Sequence, residues 1–337
     1  GGNRKQKRNS RMRYITDTTE FQIKEPTIVT LGKFDGRHRG HQKLLRIMEE
    51  LKEELGYATA IFTFDSVPSS IADGEKQTVI TTNQERRANM EKMGIDYLVE
   101  YPFTEAIRHM GPEDFVRNIL SGRMNAKVIV VGPDCSFGYQ GAGSAKLLRE
   151  LAAECGYRLC VIEKEKDAAR DISSTYIREE LVKGNVEKAN ALLGEPYAIH
   201  GEVVHGNHMG AAVLGFPTAN LMPPSNKRLP KKGVYVSRVC VNGSFYRGVT
   251  NIGCKPTVKG EYPIGVETHI FDLNRDIYGE TIEVQLLAFE RPEQTFGSLE
   301  ELKARIELDK AFAAGYFKKH PEIRLDKIGQ NDRREIK

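Results

Sequence analysis

Several features that would take a chain out of the ordinary globular class are missing here. The five cysteines, Cys135, Cys155, Cys160, Cys240 and Cys254, form no CxxC pair and do not fall at zinc-site spacing with histidine. An odd set of thiols without that spacing argues against a disulfide framework, and reduced, packed thiols are the expectation. No apolar run is long enough to span a bilayer and no secretory signal is visible, so a cytoplasmic chain with no membrane contact is expected. Internal repeats are absent, and low-complexity text is confined to the tails. Neither GxGxxG nor a GKS/GKT loop occurs, which removes the dinucleotide fingerprint and the Walker lysine as explanations.

What is present suits two medium domains. The chain has 337 residues, 39% hydrophobic and 28% charged, enough to bury a core in each half. Its formal charge of +4 invites a nucleic-acid reading. Residues 1–11, GGNRKQKRNSR, hold five basic side chains and no acidic one, and read as a tag-derived or disordered leader. Without them 45 basic residues face 46 acidic ones. A basic tail can bind nucleic acid, but near-neutrality elsewhere predicts no nucleic-acid partner. Self-association is left open.

The periodicity changes along the chain. Apolar runs at 27–31, 57–64, 95–100, 126–132 and 157–163 alternate with amphipathic stretches at 42–54, 83–93 and 144–154, closed by Gly56, Gly94 and Gly156. Pro112 opens another helix that Gly122 is expected to end. This alternation predicts a parallel sheet covered by helices, with ligands at the carboxyl ends of its strands. Helices at 172–183 and 186–193 finish that half. From Pro196 onward, strand-like runs crowd together at 197–205, 233–241, 244–252, 264–272 and 280–289, which predicts an antiparallel barrel or sandwich. A helix at 298–316 closes it, with Ser298 and Glu301 spaced as a capping box. The expected division is 12–193 and 194–325, followed by a polar tail at 326–337.

One stretch carries chemistry. GKFDGRHRGHQ, Gly32 to Gln42, places His38 and His41 three apart at a strand-to-helix turn. A helix start offers unpaired N–H groups and partial positive charge, which suits phosphate, and two imidazoles there can donate hydrogen bonds as phosphoryl charge develops. A plain helix start with incidental histidines, or a metal pair, is the alternative. The stretch ISSTYIR (172–178) repeats the theme. Ser173, Ser174 and Thr175 stand where a helix should begin and Arg178 one turn on, which suits polyphosphate. Ordinary N-capping is the alternative there.

GKFDGRHRGH, VGPDCSFG (131–138) and ISSTYIR resemble the nucleotidylyltransferase half of bacterial bifunctional riboflavin kinase/FAD synthetases. The second half carries the family's other marks in order: GEVVHG (201–206), GFPTAN (215–220), GVYV (233–236), VTNIGCKPT (249–257) and VETHIFD (266–272). HxGH alone is shared by many nucleotidylyltransferases; the ordered set is specific. The resemblance implies a Rossmann-like α/β nucleotidylyltransferase domain of HxGH type, followed by a mainly antiparallel β-barrel riboflavin kinase domain with a closing helix. It also implies riboflavin, FMN and ATP as substrates, with a divalent ion, Mg²⁺, as cofactor.

On that resemblance His38 and His41 stabilise the α-phosphate of ATP under attack by FMN. Gly32, Lys33, Phe34, Asp35, Gly36, Ser173, Ser174, Thr175 and Arg178 line the nucleotide phosphates. Asp134 and Phe137 fall in the flavin loop, where an aromatic can pack on the isoalloxazine, with Asn251 a further flavin contact in the second half. Thr218 and Asn220 offer a hydroxyl and an amide oxygen at alternate positions, suited to Mg²⁺, with Pro217 expected to leave Thr218 displayed on a turn. Glu267 is the expected base toward the ribityl hydroxyl, sharing a strand face with His269. Gly201, Gly206 and Gly210 let the backbone approach phosphates.

The text departs from the family in places. FTFDSVPSS has Val67 where FDPHP has histidine, Lys33 replaces the usual asparagine, and GAAVLGFPTAN lacks an arginine after Gly210 and is one residue longer. The alternatives are therefore a riboflavin kinase with an altered first half and a non-catalytic flavin-binding protein.

Overall fold

The computed structural model describes residues 11–66, 78–205, 218–254, 264–323 and 325. Val67, Gly206, Gly210 and Pro217 lie outside them. Packing divides the chain between Ser173 and Ser174 into two compact units.

In the first unit, six strands form one sheet in the order β1-β4-β3-β2-β5-β6: β1 (Arg13–Thr16), β2 (Thr27–Leu31), β3 (Ala58–Phe64), β4 (Tyr97–Tyr101), β5 (Ala126–Val131) and β6 (Arg158–Val161). Every pairing is parallel. The central strands are apolar on both faces because helices cover both. On one side Leu44, Leu45, Met48 and Leu51 of α1 (Arg39–Leu55) and Met90 of α2 (Asn83–Lys92) pack on Ile28, Ile61, Leu98 and Val130. On the other, Phe115, Ile119 and Leu120 meet Val29, Phe62 and Val99, with Leu148 and Leu151 of a further helix, Ala145–Cys155.

Two expectations here need correction. β1 was not foreseen, since RYIT is short and polar, and it adds to the sheet edge beside β4. Gly122 does not end its helix, whose π-helical turns run from Phe115 to Arg123; Asn125, at φ 50°, makes the left-handed turn instead. Gly56 and Gly156 do cap in the left-handed conformation. Cys135, Cys155, Cys160 and Cys240 are free thiols.

The second unit opens with two helices, Ser174–Lys183 and Val186–Leu193. Six strands then close an antiparallel barrel in the order β10-β13-β12-β11-β14-β9, once the hairpin β7 (Lys166–Asp167) and β8 (Arg170–Asp171) of the first unit is counted. They are β9 (Tyr197–Val204), β10 (Thr218–Leu221), β11 (Gly233–Val241), β12 (Ser244–Cys254), β13 (Ile264–Ile270) and β14 (Thr281–Arg291). Closure removes the sheet edges. The last helix, Leu299–Lys319, packs Ala313 and Phe317 on Val236, Leu287 and Ala288 outside the barrel, so β11 is buried on both faces. Ser298 caps it by accepting from the Glu301 N–H at 3.1 Å. The expected box is only half made, because Glu301 turns back to the Gly297 N–H at 2.9 Å.

Candidate active sites

The strand order reverses at β2. From it the chain winds outward through β3 and β4, then returns to pair β5 on β2's other side. Open α/β sheets bind ligands in the crevice outside the carboxyl ends at such a point. Two of the sequence motifs, 32–38 after β2 and 132–138 after β5, flank that crevice.

The turn after β2 is left-handed twice, at Phe34 (φ 49°) and Gly36 (φ 72°). The Phe34 ring, 2% exposed, anchors in the core of α1. Asp35 is buried and accepts the Thr81 N–H at 3.0 Å, while the Gly36 N–H donates to Thr81 Oγ1 at 3.0 Å. The Gly32 N–H is spent on Phe62 O. Phe34 and Asp35, expected among the phosphate contacts, shape the turn, and the Lys33 side chain is exposed.

His38 is the N-cap of α1, its Nδ1 accepting the His41 N–H at 3.3 Å. That leaves the neutral ring's proton on Nε2. His41 Nδ1 lies 2.9 Å from the Gly36 carbonyl, an acceptor only, so its proton sits on Nδ1 and Nε2 is bare. The rings stack at 3.8 Å between centroids, with Phe34 against His41 at 4.8 Å. Burial, then the neighbouring His41, pushes His38 down to about 3. Burial also holds His41 at about 4, against the opposing pull of the Gly36 carbonyl and Asp134. Both are neutral near pH 7. Only His38 is then a donor at Nε2; His41 becomes one on taking up a proton.

Asp134 pairs with Lys164 at 2.9 Å, and Lys164 also reaches Asp171 at 3.2 Å. Lys164 thus ties Asp134 to β8. It sits in a charge run, EKEKD, with no local signal to single it out. Phe137 is 7% exposed, its ring packs on Phe115 and its main chain bridges to Gly143, so it anchors the loop.

In the second unit, the helix Ser174–Lys183 begins where expected, with Ser174 and Thr175 in its first turn and Arg178 in the next, while Ser173 closes the first unit.

On the barrel three strands bring the remaining candidates together. Asn220 of β10 and Asn251 of β12 stand directly opposite Glu267 of β13, one on each side. Thr218 begins β10 opposite His269 and is not on a turn, correcting the expectation drawn from Pro217. Its Oγ1 donates to Glu267 Oε1 at 2.8 Å. Strand period places Thr218, Asn220, Glu267 and His269 on one face, while Thr250 and Thr268 between them turn inward and share a buried hydroxyl contact at 2.9 Å. Gly201 of β9 pairs with Ile282 of β14, and a Cβ there would press on Leu221 at 3.2 Å, so its bareness serves packing.

Thr218 also borders a cavity of about 180 Å³ lined by Val203, Ile270, Arg275, Ile277 and Tyr278. Thr218 Oγ1, the Asn220 amide oxygen and the Glu267 carboxylate are oxygen donors, which fits a hard divalent ion sharing ligands with phosphate, with the His269 imidazole on the same face. Among the described residues no group of three or more His, Cys, Asp or Glu could cage a metal unaided.

Comparison with known proteins assigns a family to each half of the chain. Residues 20–176 match the FAD synthetase family and residues 193–317 the riboflavin kinase family. The chain is 36% identical over 296 residues to a bifunctional riboflavin kinase/FMN adenylyltransferase of Bacillus subtilis, covering 86% of this chain and 92% of that one. Relatives of the same name from Listeria monocytogenes and Escherichia coli are each 34% identical, over 87% of this chain and 93% of theirs. A crystal structure titled macrolide-efflux protein from Streptococcus pneumoniae superposes with a TM-score of 0.80 at 30% identity, over 90% of this chain and 98% of that one. Among the described residues, no helix here is long and apolar enough to cross a membrane.

Proposed function

The chain belongs to the family of bifunctional riboflavin kinase/FMN adenylyltransferases, and we propose that Glu267, Thr218 and Asn220 carry the first of its two reactions and His38 and His41 the second. Riboflavin and ATP give FMN and ADP; FMN and a second ATP give FAD and pyrophosphate. Both reactions use ATP and a divalent ion, which we take to be Mg²⁺.

In the kinase half, Glu267 takes the proton from the ribityl hydroxyl as that oxygen attacks the γ-phosphorus. The Thr218 hydroxyl holds Oε1, leaving Oε2 to receive the proton. Asn251, across from Glu267, is placed to orient the flavin. Thr218 Oγ1 and the Asn220 amide oxygen would hold the ion in part, and when bound it offsets the charge of the phosphates. The convergence of Asn220, Glu267 and Asn251 on one register row, with Thr218 bonded to Glu267, is the observation that carries this reading.

In the transferase half, an FMN phosphate oxygen attacks the α-phosphorus and pyrophosphate leaves. Catalysis is positioning and electrostatics: the His38 Nε2–H donates to an α-phosphate oxygen, and His41 does so once the anion has drawn a proton onto it. Within the first unit Lys33 and Ser173 account for the phosphates, and Asp134 for the flavin edge. Partners are small molecules in the cytoplasm, without nucleic acid.

A product time course tests both halves. With riboflavin, ATP and Mg²⁺, FMN should appear first and FAD second. FMN accumulating without FAD, even from supplied FMN, leaves a kinase with a silent first domain. Neither product, with tight flavin binding, makes it a binding protein.

A further inference from the structure

The histidine turn is braced from beneath by a buried arginine of the neighbouring helix. The guanidinium of Arg86, on α2, is 8% exposed at its side chain and meets Glu100 of β4, which is 0% exposed. Its Nε donates to Glu100 Oε1 at 3.1 Å, and one terminal nitrogen also bonds that oxygen. The remaining donors reach two main-chain carbonyls, Lys33 O at 3.4 Å and Phe64 O at 3.3 Å. One planar group thus joins the carboxyl ends of β4 and β3 to the turn after β2. Arg87 and Tyr14 hold the other Glu100 oxygen, so the carboxylate is saturated and fixed.

The same element holds the turn a second time. Thr81 exchanges bonds with Asp35 and Gly36, and one residue on, Thr82 forms a full capping box with Glu85. The start of α2 is therefore rigid and grips Lys33 at one end of the turn and Gly36 at the other. Gly36 O in turn orients His41, whose N–H meets His38.

We propose that Arg86, anchored by Glu100, is a positioning residue for adenylyl transfer: it sets the Lys33–Gly36 turn and through it the orientation of the His38 and His41 rings. This rests on the assignment of those histidines to the transferase site. Lysine cannot replace it, since an ammonium has neither the reach nor the planar fork for Glu100 and two carbonyls together.

The test uses the full chain with Arg86→Lys, which keeps the charge opposite Glu100, and the double variant Arg86→Gln/Glu100→Gln, which removes both charges. In each, kcat for FAD formation from FMN should fall between about 10- and 100-fold, with KM for FMN changed far less. Riboflavin phosphorylation by the same molecules should stay within about twofold, reporting an intact second unit, and the far-ultraviolet circular dichroism should match the parent's, reporting an intact first unit. The imidazole ¹⁵N resonances of His38 and His41 should move, and these decide the positioning claim even in a chain that makes no FAD. Full FAD formation by Arg86→Lys with unmoved imidazole resonances overturns the proposal. So does an equal loss of both activities, which would make Arg86 a determinant of folding only.

Discussion

Thr218 and Glu267 sit on neighbouring antiparallel strands, two residues out of register and on one face, and the hydroxyl of the first donates to the carboxylate of the second at 2.8 Å. A hydroxyl in that role fixes the carboxylate's rotamer, which a proton acceptor in a phosphoryl transfer needs. Glu267→Gln should lower riboflavin phosphorylation by roughly 10²–10⁴. Thr218→Val should also lower it, since it removes both the bond to Glu267 and a metal-facing oxygen. FAD formation from supplied FMN should be unaffected in both, as read by chromatography of the products.

The two histidines should respond differently to trimming. Asparagine can reproduce Nδ1 of an imidazole but not Nε2. His38→Asn therefore keeps the helix cap while losing the Nε2 donor, and adenylyl transfer should fall about 10²–10³-fold. The helix should survive by circular dichroism, and riboflavin phosphorylation should continue.

Acid should weaken the first unit through these same rings. His38 and His41 titrate at about 3 and about 4 when folded, against 6.5 unfolded. Between pH 6.5 and 4 the unfolded chain binds more protons, so stability falls on acidification by about 1.4 kcal/mol per pH unit for each ring. Glu290 works the other way, raised from 4.5 to about 7 by burial and then by Asp309; it favours the folded state on acidification through that window. Glu290 lies in β14 of the second unit, so Glu290→Gln should remove that gain there and leave the first unit's acid loss unchanged, as denaturant midpoints of the two units at pH 7 and pH 5 check.

Gly143 is pressed against the Phe137 ring. A Cβ there would lie 2.3 Å from Phe137 Cε2. Gly143→Ala should cost about 1–3 kcal/mol by overpacking and disturb the loop carrying Asp134. The measurements are a denaturant midpoint and the FMN affinity of the transferase half.

Much of this molecule was legible before folding. Local periodicity marked nearly every central strand and helix of the first unit, because strands buried on both faces read as apolar runs and their covering helices as amphipathic ones. RYIT of β1 and TANL of β10 carry too few residues for any period, and only their partners, β4 and β13, make them strands. The motif residues His38, His41, Thr218, Asn220 and Glu267 were nameable from text because each sits in a dense local signature. What the text could not supply is which members face a ligand. Phe34, Asp35, Phe137 and Gly201 lie inside the motifs yet serve packing or turn geometry, and burial is a property of the assembled core. Arg86, Glu100 and Lys164 lie outside them, and their partners are long-range in sequence. The order of residues determined the elements and the chemistry on offer; the tertiary structure decided tautomers, register rows and the buried ion pair, since each depends on groups that meet only when distant segments close on one another.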